Sequence, residues 1–177
     1  LSIPRIPDPA QLVIGILAAD EVKFRSALTD LCRSFGEIQQ ILGPLKFDFT
    51  DYYRRELGHE IRRWLVVFKD LVDRAGLASI KLLTNDIENA YSIDGKRQFN
   101  LDPGLLTLEN FVLATGKNRA HRVYLSDGIF ADLTLVFRKG SYRPLDWTYP
   151  DYADKELIEI LNRIREHYKC RPADPQI

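Results

Sequence analysis

Apolar positions along the chain follow two spacings, one continuous or alternating and one helical. The run Leu12-Val13-Ile14-Gly15-Ile16-Leu17 is uninterrupted and reads as a strand buried on both faces, after a lead-in broken by Pro4, Pro7 and Pro9. Asp20 then caps a helix in which Phe24, Ala27, Leu28, Leu31 and Phe35 keep the 3.6-residue period, and Gly36 ends it. Between Glu37 and Phe49 the apolar residues are interrupted by Gly43-Pro44, which predicts two short extended pieces with a turn or bulge between them. Trp64-Leu65-Val66-Val67-Phe68 is rich in β-branched and aromatic residues and marks a strand within Ile61 to Val72. Leu77, Ile80, Leu83, Ile87 and Tyr91 form the stripe of a second helix.

Beyond it, Gln98 to Asp102 is expected to be a strand stopped by an Asp102-Pro103-Gly104 turn, while Leu105 to Thr115 fits either a helix or a strand. His121 to Leu125 and Ile129 to Phe137 read as a hairpin joined through Ser126-Asp127-Gly128, because Asp-Gly accepts positive φ, and Lys139-Gly140 turns the chain again. Leu157, Ile160, Leu161, Ile164 and Tyr168 mark a C-terminal helix. This succession predicts an α+β fold: a ferredoxin-like β-α-β-β-α-β sandwich extended by a β-meander and a C-terminal helix. A mixed sheet with another strand order is the alternative. One domain is expected over residues 11–170, with extended tails at 1–10 and 171–177.

Composition narrows the class without naming an activity. The 177 residues suffice to bury a substantial core, and 45% apolar with 28% charged residues is ordinary globular usage. Basic and acidic residues balance at 25 each, so no overall field draws the chain to nucleic acid or an anionic membrane. Leu12 to Ala19 is too short to span a membrane, and Asp20-Glu21-Val22-Lys23 does not follow it as a signal-peptide cleavage region would. Cys32 and Cys170 are too few for a disulfide scaffold and suit reduced thiols in a cytoplasmic setting. With no methionine anywhere, the chain is expected to begin after its natural start.

Candidate chemistry gathers around Asn100-Leu101-Asp102-Pro103-Gly104. Asn100 and Asp102 are two apart, so on a strand they face one side, and strand ends are common places for binding residues. The same residues would also serve simply to make a turn. Lys81, Thr84, Asn85 and Glu88 share one helix face, where they would meet a polar ligand or form a solvated hydrogen-bonding row. Lys117, Arg119, His121 and Arg122 form a local basic cluster suited to a phosphate or carboxylate, although strand alternation would separate His121 from Arg122. The aromatic segments Thr50-Asp51-Tyr52-Tyr53 and Trp147-Thr148-Tyr149-Pro150-Asp151-Tyr152 would wall a pocket or pin their loops to the core, with Asp151 or Asp154 capping the last helix.

Several chemistries lack their signatures. No G-x-x-x-x-G-K-[ST], G-x-G-x-x-G or G-x-S-x-G string occurs, and Asp73-Arg74-Ala75-Gly76 stands without the loop that a GTPase needs. His59, His121, His167, Cys32 and Cys170 are scattered, against a zinc site. Magnesium held by oxygen ligands from Asp51, Glu88 or Asp102 remains compatible with the sequence.

Five segments carry a resemblance that covers nearly the whole chain: Thr50-Asp51-Tyr52-Tyr53, Ile80-Lys81-Leu82-Leu83-Thr84-Asn85, Asn100-Leu101-Asp102-Pro103-Gly104, His121-Arg122-Val123-Tyr124-Leu125 and Trp147 to Tyr152. Together they resemble an uncharacterised prokaryotic family catalogued as a domain of unknown function. The resemblance implies no activity and no catalytic residue. A GTP-binding label attached to some members finds no support in the motifs of this chain.

Two functions are therefore expected in turn. The first is a small-molecule site for a phosphorylated or nucleotide-like ligand, in which Lys81 and Arg122 hold anionic groups and Asn85 and Asn100 orient the ligand. In that site Asp102 or His121 moves a proton, Glu88 is a magnesium ligand or second acid, and Asp51, Lys117 and Tyr149 complete the lining. The second is a noncatalytic protein- or RNA-interaction domain presenting Tyr52, Tyr53, Tyr149 and Arg122.

Overall fold

A computed structural model gives the fold over residues 1–171. The chain enters the sheet with β1 (Ala10–Ala18), every position of which is buried. Helix α1 (Glu21–Phe35) begins where the Asp20 carboxylate accepts the Lys23 N–H at 2.8 Å and ends at Gly36, whose φ is +86°. The strands β2 (Ile38–Lys46) and β3 (Arg62–Val72) follow, separated by a segment that contains the short helix α2 (Arg54–Leu57). The interruption expected at Gly43-Pro44 is a shift in the β2–β3 register between Leu42 and Leu45 within one strand. Helix α3 (Leu77–Ala90) leads to β4 (Phe99–Leu106).

Leu105 to Thr115, which fits either a helix or a strand, is extended: Leu105 and Leu106 end β4 and the remainder is a turn and a further strand. A tight turn closed by the Thr107 hydroxyl and the Asn110 backbone connects β4 to β5 (Asn110–Thr115). A hairpin through Asp127 and Gly128, both at positive φ, joins β6 (Arg122–Ser126) to β7 (Ile129–Arg138). Lys139-Gly140, again at positive φ, turns β7 into β8 (Ser141–Pro144). Asp154, not Asp151, caps the last helix, α4 (Lys155–Lys169), by accepting the Glu156 and Leu157 N–H groups. Residues 1–9 form no regular element; of the expected C-terminal tail, 172–177 lie outside the described residues.

All these strands join one antiparallel eight-stranded sheet in the order β2-β3-β1-β4-β5-β7-β6, with β8 pairing on β7 beside β6. The two faces bury different helices. Leu12, Ile14 and Ile16 of β1, with Trp64, Phe68 and Leu101, pack against Phe24 and Leu31 of α1 and Ile80 and Ile87 of α3. Val13, Leu65, Leu106 and Leu135 point the other way, onto Leu157, Ile160, Leu161 and Ile164 of α4. A smaller cluster of Leu17, Phe47, Leu57 and Ile61 holds the α2 segment at the end of β1.

One expectation fails. Asp102-Pro103-Gly104 is not a turn: it lies inside β4 and pairs with β1, Gly15 opposite Asp102 and Ile14 opposite Pro103. The proline is tolerated because β4 meets β5 only from Gly104 to Leu106, so at Pro103 no second strand asks for the missing N–H.

Candidate functional site

The same pairing pattern opens the sheet. β4 stays on β1 down to Phe99, whereas β5 leaves β4 after the Gly104–Leu113 pair and continues along β7 to Thr115. A wedge-shaped gap therefore separates the first half of β4 from the last residues of β5. Peptide groups two residues apart face the same strand edge, so the Leu101 N–H and C=O point into this gap with Pro103. Helix α3 supplies what β5 does not. Glu88 accepts the Leu101 N–H, and Lys81 Nζ donates to the Leu101 carbonyl at 2.8 Å. These side chains, one on each side of Thr84, are buried, with Lys81 8% and Glu88 4% exposed. The Lys81, Thr84 and Glu88 row of α3 is thus buried beside its apolar row of Leu77, Ile80 and Ile87, and Leu82 and Leu83 are left at the surface.

A cavity of about 830 Å³ fills the opening. Its lining includes Lys81, Asn85, Glu88, Asn100, Asp102, Lys117, Arg122 and Tyr149, so most of the residues singled out from sequence meet there. Two do not. Asp51 is exposed and pairs with Arg54 at 2.8 Å, because it sits on the outer side of the segment whose Tyr52 and Tyr53 line the cavity. His121 lies off the lining, stacked on Trp147 with centroids 5.2 Å apart. It precedes β6, so strand alternation does not part it from Arg122: His121 Nε2 is 3.4 Å and Arg122 Nε 2.7 Å from the same Asp132 oxygen.

Most charges of the lining are already matched. Arg97 binds both Glu56 oxygens at 2.7 Å, Glu88 at 3.0 Å and the Asn100 Oδ1 at 2.7 Å. Arg122 is held by Asp132, the Lys117 carbonyl and the Tyr149 hydroxyl. Burial pushes the Glu88 carboxyl above its ordinary range, against the pull of Lys81, the Leu101 N–H and Arg97. Hydrogen bonding to Arg97 holds Glu56 below its ordinary range.

The closed end of the cavity is different. Among the described residues the Asp102 carboxylate makes no hydrogen bond or ion pair, and the Asn100 Nδ2 and the Tyr152 hydroxyl are buried without a partner. Tyr152 reaches this spot because Gly15 has no side chain: a Cβ there would stand 3.0 Å from the Tyr152 hydroxyl and 3.7 Å from the Asp102 Cβ. Burial keeps both Tyr152 and Tyr53 well above the usual phenol range, so each is a neutral hydroxyl. Behind Tyr152 lies Arg63, paired with Asp151 and placed 4.6 Å from the Tyr152 ring and 5.1 Å from the Phe47 ring.

The sequence of a family described as a domain of unknown function, DUF4416, matches residues 8–168. The chain belongs to that family. No curated protein and no solved structure matches it. Among the described residues of this DUF4416 chain, no three His, Cys, Asp or Glu side chains converge as a metal site; Asp51, Glu88 and Asp102, considered for magnesium, do not form one. No helix among the described residues is long and apolar enough to cross a membrane.

Sequence reasoning missed Arg97, Phe47 and Asp132 as lining residues; it offers Tyr152 as part of a pocket wall but not as a polar group of the site. Arg97 stands in a polar connection and acts across to Glu56, a contact with no local signature. Asp132 alternates with apolar neighbours in β7, and a buried carboxylate in such a strand, with Arg122 in the preceding strand, is the one signal that the pattern did contain.

Proposed function

We propose that this DUF4416 domain binds a phosphorylated or nucleotide-like small molecule in the cavity between β4 and β5. The observation that carries the reading is that Asn100 Nδ2 and the Tyr152 hydroxyl are buried without partners among the described residues, beside the half-buried Asp102 carboxylate at the same end of the cavity. Buried polar groups are ordinarily hydrogen-bonded, and a group aimed into a roomy cavity without a partner marks where a ligand supplies one. The volume falls in the range of small-molecule sites. Lys81 and Arg122 hold protein groups in this arrangement, so the role of meeting an anion passes to Lys117 and Arg119, which line the cavity from the exposed loop after β5. Should chemistry follow binding, Asp102 is the group free to take a proton.

Thermal denaturation of the purified chain against nucleotides, sugar phosphates and inorganic phosphate tests this. A ligand at a hundred times its dissociation constant adds about 2.7 kcal/mol, raising the midpoint by about 5–10 °C in a domain of this size. No shift across the panel would overturn the reading.

A noncatalytic interaction domain has one observation in its favour. The edge strand β6 exposes Val123, Tyr124 and Leu125, with Val123 68% exposed. Arg122, expected on such a surface, is buried, and Tyr53 is half-buried, so the patch differs from the one that the sequence suggested.

A further inference from the structure

We propose that the closed end of the cavity binds the neighbouring hydroxyls of a sugar while Lys117 and Arg119 hold its phosphate at the mouth, making the ligand a monosaccharide phosphate. The inference deepens the small-molecule reading and rests on it.

The inner groups set the chemistry. Asp102 only accepts, through two oxygens; Asn100 Nδ2 only donates; the neutral Tyr152 hydroxyl does either. An anion there would face an unpaired carboxylate, and an apolar group would leave all these atoms unsatisfied. Adjacent hydroxyls satisfy them together: two O–H groups donate to the Asp102 carboxylate, and their oxygens accept from Asn100 and Tyr152. Asn100 and Asp102 project from one face of β4, and the Tyr152 hydroxyl and the Asp102 Cβ lie 3.0 and 3.7 Å from the same point above Gly15, so the three side chains converge on one small region.

Ring faces argue against a nucleobase at this end. Arg63 covers one face of both Phe47 and Tyr152, and Phe47 meets Tyr53 edge-on with centroids 5.9 Å apart, so each of these inner rings already has a face or edge engaged by the protein.

At the mouth the balance reverses. Lys117 and Arg119 are exposed, and neither has a carboxylate within ion-pair distance among the described residues; Lys117 Nζ contacts only the Tyr52 hydroxyl at 3.2 Å, above the Tyr52 ring. Deeper cations are committed to Glu56, Glu88, Asp132 and the Leu101 carbonyl. An anionic group is therefore matched at the mouth and not inside.

The test is calorimetric titration of the intact chain with ribose 5-phosphate, glucose 6-phosphate, inorganic phosphate and adenosine monophosphate. A sugar phosphate is expected to bind at least about tenfold more tightly than inorganic phosphate, one good hydrogen-bonded group being worth that factor. Asp102→Asn is expected to weaken the sugar phosphate by about tenfold or more and leave inorganic phosphate unchanged; Lys117→Ala with Arg119→Ala is expected to weaken both. Tyr152→Phe removes only an unpartnered hydroxyl, so it reports on the same contact if Asp102→Asn fails to fold. Sugar phosphates bound no better than inorganic phosphate, or bound equally well by Asp102→Asn and Tyr152→Phe, would overturn the inference. Adenosine monophosphate binding alone would overturn it and spare the small-molecule reading, whereas no binding by any probe would remove both.

Discussion

Glu88 accepts the backbone N–H of Leu101, standing where a strand carbonyl would stand in an unbroken sheet. With Lys81 on the Leu101 carbonyl, two side chains of one helix replace a missing stretch of β-ladder.

Removing either should therefore act on stability. Glu88→Ala is expected to cost about 1–3 kcal/mol, because it strands a buried N–H and leaves Lys81 without its nearby carboxylate. Lys81→Ala should cost a similar amount, and the double variant less than the sum, since the two share one peptide group. Urea unfolding midpoints check this; an unchanged midpoint for Glu88→Ala would show that the clamp contributes nothing.

The pH dependence of stability should carry two opposed signatures. Burial raises the Glu88 pKa in the folded chain, so the folded state holds that proton more firmly. The contribution of Glu88 is then fullest below the ordinary value of 4.5 and is lost as pH rises through the raised value. Glu56 is the reverse case: Arg97 lowers its pKa, so its contribution is present above 4.5 and is lost as pH falls through the lowered value. Compared with wild type in urea unfolding at roughly pH 3 to 8, Glu88→Gln should gain relative stability with rising pH and Glu56→Gln should lose it.

Arg63 is 4% exposed and bonded to Asp151 between two aromatic rings. Arg63→Ala should destabilise by about 3–5 kcal/mol, since it leaves the Asp151 carboxylate largely buried and unpaired and empties the space between Phe47 and Tyr152. Adding Asp151→Asn should recover part of that loss. Thermal midpoints of the three variants decide the matter, and no recovery would show that packing outweighs charge.

Two glycines of the sheet should differ in their tolerance of alanine. A Cβ at Gly104 would come 2.5 Å from the Phe111 ring, which is buried and cannot yield, and a loss of about 1–3 kcal/mol is expected. At Gly15 the one close approach is to the Tyr152 hydroxyl, at 3.0 Å, the Asp102 atoms standing at ordinary contact distance of 3.7 Å. Gly15→Ala should be milder, and Tyr152→Phe should restore it. Denaturant midpoints of the single and double variants test the contact directly.

Much of the fold is legible in the residues. Leu12 to Leu17, the Asp20 and Asp154 caps and the Asp127-Gly128 and Lys139-Gly140 turns each carry a local physical reason that tertiary contacts do not override. Asp102-Pro103-Gly104 misleads because a proline stops a strand only where a neighbour needs its N–H, and which edge has a neighbour is a property of the whole sheet. The polar face of α3 was visible as a face, but its direction was not: Lys81 and Glu88 turn inward for the Leu101 peptide, which no helical period announces. At the cavity, Asn100 and Asp102 could be paired by alternation, whereas Tyr152 and Arg97 arrive from distant segments.

The parting of β4 from β5 also divides the cavity wall into residues that are free to change and residues that are not. Lys81, Glu88 and Arg97 hold the protein together while they line the site, so altering them to favour another ligand would loosen the sheet itself. Asp102 and Lys117 carry no such duty toward the fold, since among the described residues the Asp102 carboxylate makes no hydrogen bond and Lys117 makes only a surface contact. On the proposed ligand-binding reading, redesign of the pocket at the bench therefore has these two positions open to it at little expense of stability.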